Sequence, residues 1–86
     1  VAYGKDPQVG LGRAVRKTRT EAGLEQKELA ELAEVKASEI SRLEKGTKNP
    51  QWGTVKRVAE ALGTPLSDLA ALAEEFERRH EADPHS

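Results

Sequence analysis

Apolar positions along this chain recur with a helical period, and the phase of that period shifts several times. Between Gln26 and Gly46 they fall at Leu29, Ala30 and Ala33, then at Val35, Ile40 and Leu43. The first set has i, i+1, i+4 spacing, and Ile40 and Leu43 are three apart, as on helix faces. No single straight helix puts all six on one side, so the phase breaks near Glu34 and Val35. Two short helices are predicted, Gln26 to Ala33 and Ala37 to Lys45, joined by a tight turn. Ala30 and Ala33 are small enough for the second helix to cross closely. Gly46 stops that helix, as a glycine just past a helix end does. Its outer face carries Ala37, Ser38, Ser41, Arg42 and Lys45.

The same reading extends to both ends. Val1 to Gln8 contains Gly4 and Pro7 and has no period, so residues 1–8 are expected to be a flexible arm. A first helix follows from Val9 to Ala22 and ends at Gly23. Leu11 and Val15 face inward on it, and Arg13, Arg16 and Lys17 face outward. Leu24 is expected as a buried plug before the second helix. Glu25 takes the N-cap position, a poorer cap than Ser, Thr or Asn, but its charge suits a helix N-terminus. Leu32 reads as a single exposed leucine. Asn49-Pro50 marks a turn. Trp52 opens a fourth helix that runs to Leu62, with Val55, Val58, Ala59 and Leu62 inward, and its ring is expected in the core. Thr64 and Pro65 supply a cap and a first-turn proline for a fifth helix, which reaches about Arg79. Residues 80–86 are expected as a frayed tail. The domain proper is residues 9–79, all-α with five helices.

Composition narrows the function. A chain of 86 residues holds one small domain. It has no Cys, hence no disulfide framework or thiolate metal site. There is no long apolar run and no signal-peptide pattern, so the expected location is cytoplasmic, with no membrane. The sequence starts at Val1 and lacks Met, which suggests a trimmed piece with a further domain or partner protein outside it. The net charge of −1 conceals an asymmetry. Residues 1–57 carry twelve Lys and Arg against eight Asp and Glu, a balance of +4. Residues 58–86 carry two against seven, a balance of −5. Attraction to phosphate depends on the local face, so the first half remains suited to DNA. His80 and His85 lie in the expected tail. No phosphate-cradling loop, metal spacing or nucleophile motif is present. An enzyme, a cofactor and a metal are therefore not expected.

Two short helices crossing at a tight turn are a helix-turn-helix arrangement. From about Leu11 to Leu69 the chain resembles the phage repressor and Cro type of helix-turn-helix domain, also called the xenobiotic-response-element family. The residues that carry the resemblance are Leu11-Gly12, Val15-Arg16, Arg19, Gly23-Leu24, Gln26, Leu29-Ala30, the run from Ile40 to Gly46, Asn49-Pro50, Leu62-Gly63 and the run from Leu66 to Leu69. The pieces are weak singly and specific in order. The resemblance implies a compact five-helix fold with the helix-turn-helix as its second and third helices.

It also implies sites. Ala37, Ser38 and Arg42 would meet base edges in the major groove, with Lys36 at the margin. Gln26 would anchor the second helix to a phosphate, and Lys45, Lys48 and the backbone at Gly46 would hold the other side. Arg19 and Glu44 match a partly buried ion pair of relatives. Three departures stand out. Thr18 replaces a larger apolar residue, and Lys36 replaces a capping Ser. Glu34 replaces Gly in the turn, which costs about 1 kcal/mol if that residue has positive φ. The implied function is sequence-specific binding of double-stranded DNA as a transcriptional regulator, in the repressor sense. An antitoxin or a restriction-modification control protein is the nearest rival. A protein-interaction module that has lost DNA binding is the rival from another class, kept open by Glu25, Glu34 and Glu39.

Assembly is the last expectation. Leu62, Leu66, Leu69, Ala73 and Phe76 follow a 4-3-4-3 seam interrupted at Gly63 to Pro65. Leu69, Leu72, Ala73 and Phe76 are expected as a two-fold interface, giving a homodimer on a palindromic operator. The alternative is that the fifth helix folds back and Phe76 covers its own domain.

Overall fold

The computed structural model of the chain describes residues 7–47 and 49–82, with side chains at 9–47 and 49–79. The helices are α1 (Pro7–Glu21), α2 (Gln26–Ala33), α3 (Ala37–Lys45), α4 (Trp52–Leu62) and α5 (Leu66–Ala82). No strand occurs among the described residues. The expected all-α, five-helix architecture is observed. Four ends differ from expectation. α1 stops at Glu21, one residue early. α5 starts at Leu66 with Pro65, not Thr64, at its cap position, and the Pro65 carbonyl accepts from the Asp68 and Leu69 N–H groups. α1 opens at Pro7, within the expected arm, because proline at the first helical position loses nothing by lacking an N–H. α5 continues past Arg79 to Ala82. Lys5 and residues 83–86 lie outside the described residues.

The first four helices end alike. Gly23, Glu34, Gly46 and Gly63 have φ of 74°, 59°, 70° and 66°. In each case the next N–H reaches back to a carbonyl of the last turn: Leu24 to Arg19 at 3.1 Å, Val35 to Ala30 at 3.0 Å, Thr47 to Arg42 at 3.4 Å and Thr64 to Ala59 at 3.0 Å. These closures satisfy carbonyls that the helices leave open. Glu34 is the one non-glycine residue in that conformation among the described residues, and it sits in the turn between α2 and α3.

The core gathers Ala14 and Val15 of α1, Leu29, Ala30 and Ala33 of α2, Ile40 and Leu43 of α3, Val58 and Ala59 of α4, and Leu69 and Ala73 of α5. A nine-residue helix such as α3 is not stable alone in water. Ile40 and Leu43 are fully or almost fully buried, and burial of each is worth about 1.5–3 kcal/mol. Leu11, Leu62 and Leu66 pack on this core while staying partly exposed. Leu24 is half-buried rather than the sealed plug expected. The Thr18 hydroxyl donates to the Ala14 carbonyl at 2.8 Å, which gives the polar substitute a partner.

Two expectations are corrected here. Leu69 and Ala73 are not an open interface: they are 0% and 7% exposed within their own domain. Leu72 and Phe76 are partly buried against the same core. The cause lies in α1, whose most extensive packing is with α5. Gly10 leaves room for the Ala73 carbonyl oxygen and for Glu77 Cγ, which a Cβ there would meet at 2.5 Å. With no side chain in the way, α5 folds back along α1. Trp52 is the second correction, for it is 66% exposed. It is the first residue of α4, and a Cβ there points back toward the helix N-terminus. The ring borders an apolar groove formed with Leu11, Val55, Leu66 and Ala70, to which Leu69 and Ala73 contribute the floor.

Candidate nucleic-acid interface

The position of α3 is fixed by one polar cluster that joins three elements. Arg19 of α1 donates through Nε to Glu44 Oε2 at 2.6 Å and through Nη2 to Oε1 at 3.0 Å. Its third nitrogen donates to the Leu24 carbonyl at 2.8 Å, which ties down the turn before α2. Gln26 of α2 donates from Nε2 to Glu44 Oε1 at 2.9 Å. The Arg19 and Glu44 side chains are only 12% and 4% exposed. A charge so placed is tolerable only with such partners. The hydrogen bond to Glu44 raises the guanidinium pKa above its ordinary value. Burial opposes that rise, and the charges of Glu44 and Glu25 add to it. The expected ion pair is therefore present, in bidentate form.

With Ile40, Leu43 and Glu44 turned inward, the other faces of α3 are left to solvent. Lys36, Ala37, Ser38, Arg42 and Lys45 are exposed, and Glu39 and Ser41 are half-buried. An open cleft of about 360 Å³ runs between α3 and the start of α4. Lys36, Ser38, Glu39, Arg42, Leu43, Asn49, Pro50, Gln51 and Thr54 line it. Three of the four residues expected at bases, Lys36, Ser38 and Arg42, thus share one concave surface, and Ala37 stands beside it as the first residue of α3. Lys36 is the N-cap residue and makes no side-chain cap. Its carbonyl accepts from Glu39 N–H at 2.9 Å and Ile40 N–H at 3.3 Å, while its ammonium is left to solvent or to a ligand.

The phosphate set divides. Lys45 is exposed. Gln26 is half-buried, with one amide N–H committed to Glu44, so a second N–H and the helix N-terminus remain for a phosphate. Gly46 does not fit its expected role. Its N–H is already directed at the Arg42 and Leu43 carbonyls, at 3.1 and 3.2 Å. It is buried, and a Cβ there would lie 3.0 Å from Val9 Cα. Gly46 closes a helix and admits α1, and it has no amide to give a phosphate. Lys48 lies outside the described residues. Gln51 and Thr54 were not singled out from sequence; only their polarity at the start of α4 marked them. Glu25 proves better suited to its place than expected, since its N–H donates to Glu28 Oε1 at 2.9 Å, the reciprocal arm of a capping box.

Comparison with known proteins agrees with this geometry. A helix-turn-helix domain family model matches residues 10–72. The chain belongs to the helix-turn-helix domain family, the domain type of DNA-binding transcription regulators. It is 39% identical over 73 residues to the HTH-type transcriptional repressor RghR of Bacillus subtilis, a match that takes in 84% of this chain and 54% of that protein. It is 38% identical over 60 residues to an uncharacterised HTH-type transcriptional regulator of Haemophilus influenzae, covering 70% of this chain and 61% of the other. The chain thus spans little more than half the length of these curated relatives. Among solved structures it superposes on the clp gene regulator ClgR of Corynebacterium glutamicum with a TM-score of 0.85 and 30% identity, over 88% of this chain and 81% of that one. The restriction-modification controller protein C.AhdI of Aeromonas hydrophila gives 0.70 and 31%, over 72% and 94%.

Proposed function

We propose that this domain binds double-stranded DNA sequence-specifically and regulates transcription, in the repressor sense, without catalysing a reaction. One observation carries the reading. α3 is locked from behind by Glu44, Ile40 and Leu43, and it turns Lys36, Ser38 and Arg42 into an open cleft with Ala37 beside them. A helix held this way enters the major groove with its N-terminal residues nearest the bases. Arg42 takes guanine O6 and N7 together, Ser38 bonds a base edge, and the Ala37 methyl meets a thymine methyl. Lys45 and Gln26 hold phosphates on either side. The repressor sense is supported by the name of RghR. No helix among the described residues is long and apolar enough to cross a membrane, and the site of action is the DNA of a bacterial cytoplasm.

Two copies act together on a palindromic operator. A single short helix reads only a few base pairs, and a two-fold pair sets two such helices about 34 Å apart, one turn of DNA. An apolar groove lined by Trp52, Leu66 and Ala70, with the nearly buried Leu69 and Ala73 at its floor, offers a surface to a second copy. The test is selection of sites from a random DNA pool, with sedimentation of the protein alone and on the selected site. A repeated, inverted half-site bound by two chains is expected. Binding that does not distinguish the selected site from random DNA of the same length would refute the function.

A further inference from the structure

Glu39 is the acidic residue of the cleft, and the DNA-binding reading gives it no part. It lies one turn before Arg42 on α3 and lines the cleft with Ser38, Arg42, Gln51 and Thr54. It is half-buried, and among the described residues its carboxylate forms neither a hydrogen bond nor an ion pair. Its two neighbouring cations, Lys36 and Arg42, are exposed and are not drawn onto it. A carboxylate at that place meets the edge of DNA with oxygens that only accept.

We propose that Glu39 is a specificity-determining residue of the interface, and that it selects a cytosine beside the base pair that Arg42 reads. The proposal rests on the DNA-binding reading above. The donor and acceptor code of the major groove decides the base. Guanine offers acceptors at N7 and O6, and thymine an acceptor at O4, so each faces the carboxylate with like polarity. Adenine offers a donor at N6 next to the acceptor N7, which repels the second carboxylate oxygen. Cytosine offers the N4 amino group with a C–H, not an acceptor, next to it on its own ring, so the only neighbouring acceptor is the paired guanine's O6. Discrimination comes mainly from rejection, because a wrong base leaves a desolvated carboxylate against an acceptor. Arg42 has the opposite polarity and takes guanine, so the two side chains read neighbouring positions of a half-site with complementary charge.

The experiment selects sites from a random duplex pool with the unmodified chain, with Glu39→Gln and with Glu39→Ala. Affinities are then measured on probes that differ at one base pair, and a thermal melt of each protein verifies folding. The unmodified chain should enrich cytosine at one half-site position and discriminate there by about ten-fold or more. Glu39→Gln should move that position to adenine, since an amide can meet N6 and N7 together, and leave the other positions unchanged. Glu39→Ala should bind all four bases there within about two-fold of one another. If both variants enrich the unaltered site and simply bind all DNA more tightly, Glu39 acts only as a repulsive charge and the proposal is overturned. If the unmodified chain enriches no sequence at all, the DNA-binding reading falls and takes this one with it.

Discussion

Single residues decide two properties of this domain, the strain in its central turn and the anchoring of α3. Glu34 holds φ 59° and ψ 42° at a position where Gly has no steric cost. Replacing it by Gly removes about 1 kcal/mol of strain and gives back part of that as freedom of the unfolded chain. Glu34→Gly should therefore stabilise by about 0.5–1 kcal/mol and raise Tm by a few degrees. A Tm that falls would show that the Glu34 side chain makes up for its backbone. Glu44 is the opposite case. Glu44→Ala leaves the Arg19 guanidinium nearly buried without its carboxylate and should cost about 3 kcal/mol, more than ten degrees in Tm. A matched apolar pair at both positions should recover much of the loss. Because the Arg19 pKa is raised, its contribution is complete below the ordinary guanidinium value and is lost only as pH rises through the folded value. A melt series from pH 5 to pH 9 should accordingly show no slope from Arg19. The strain at Glu34 could be anticipated only through the resemblance, because relatives carry Gly at that turn position, and its φ of 59° shows the condition met. The Gln26 to Glu44 bond could not be anticipated, since nothing local in the sequence distinguishes an amide aimed at a phosphate from one aimed at a carboxylate.

At the scale of elements, helix ends could be read because caps and glycines act within a few residues, and α2 and α3 match expectation at both ends. Packing partners were harder to read. A seam of Leu69, Leu72, Ala73 and Phe76 has the same spacing whether it meets a second copy or α1, and the deciding feature is Gly10, distant in sequence. Gly10→Ala should gain up to about 1 kcal/mol in helix propensity and lose more by driving a methyl into the Ala73 carbonyl, which cannot step aside as a side-chain tip can. A net loss of about 1–2 kcal/mol is expected, with faster hydrogen exchange along α5. Gly53 is the control: it lies in α4 with nothing near its missing Cβ, and Gly53→Ala should stabilise by about 0.5–1 kcal/mol. Equal effects at the two glycines would mean that α5 does not depend on the close approach. Trp52 shows the limit of periodicity, because position on a helix face says nothing about whether the neighbouring element extends far enough to cover it.

The whole molecule separates its charges. The cleft is lined by residues of the first, basic part of the sequence, whereas α5, with Asp68, Glu74 and Glu75, packs on α1 and does not reach it. Salt should reveal this division. Lys45→Ala should weaken binding to every sequence alike and lower the slope of log affinity against log salt by about one. Arg42→Ala should cost about 1–3 kcal/mol on the selected site and much less on random DNA. Fluorescence anisotropy at several salt concentrations separates the two, and identical losses on both kinds of DNA would mean that the face of α3 is wrongly assigned. Net charge alone concealed this, because an average over the chain cancels what the fold keeps apart.

The three-way tie at Glu44 has a consequence for how such a domain can diverge. The tie lies behind α3 and the side chains proposed to read bases lie on its other faces, with Gln26 alone given a part in both. Ala37, Ser38, Ser41 and Arg42 can be rewritten together without touching Ile40, Leu43 or Glu44. New targets are then reachable through a succession of folded proteins, with no unfolded ancestor between them. Alphabet and page are independent here, and a lineage is free to change the word while the page stays whole.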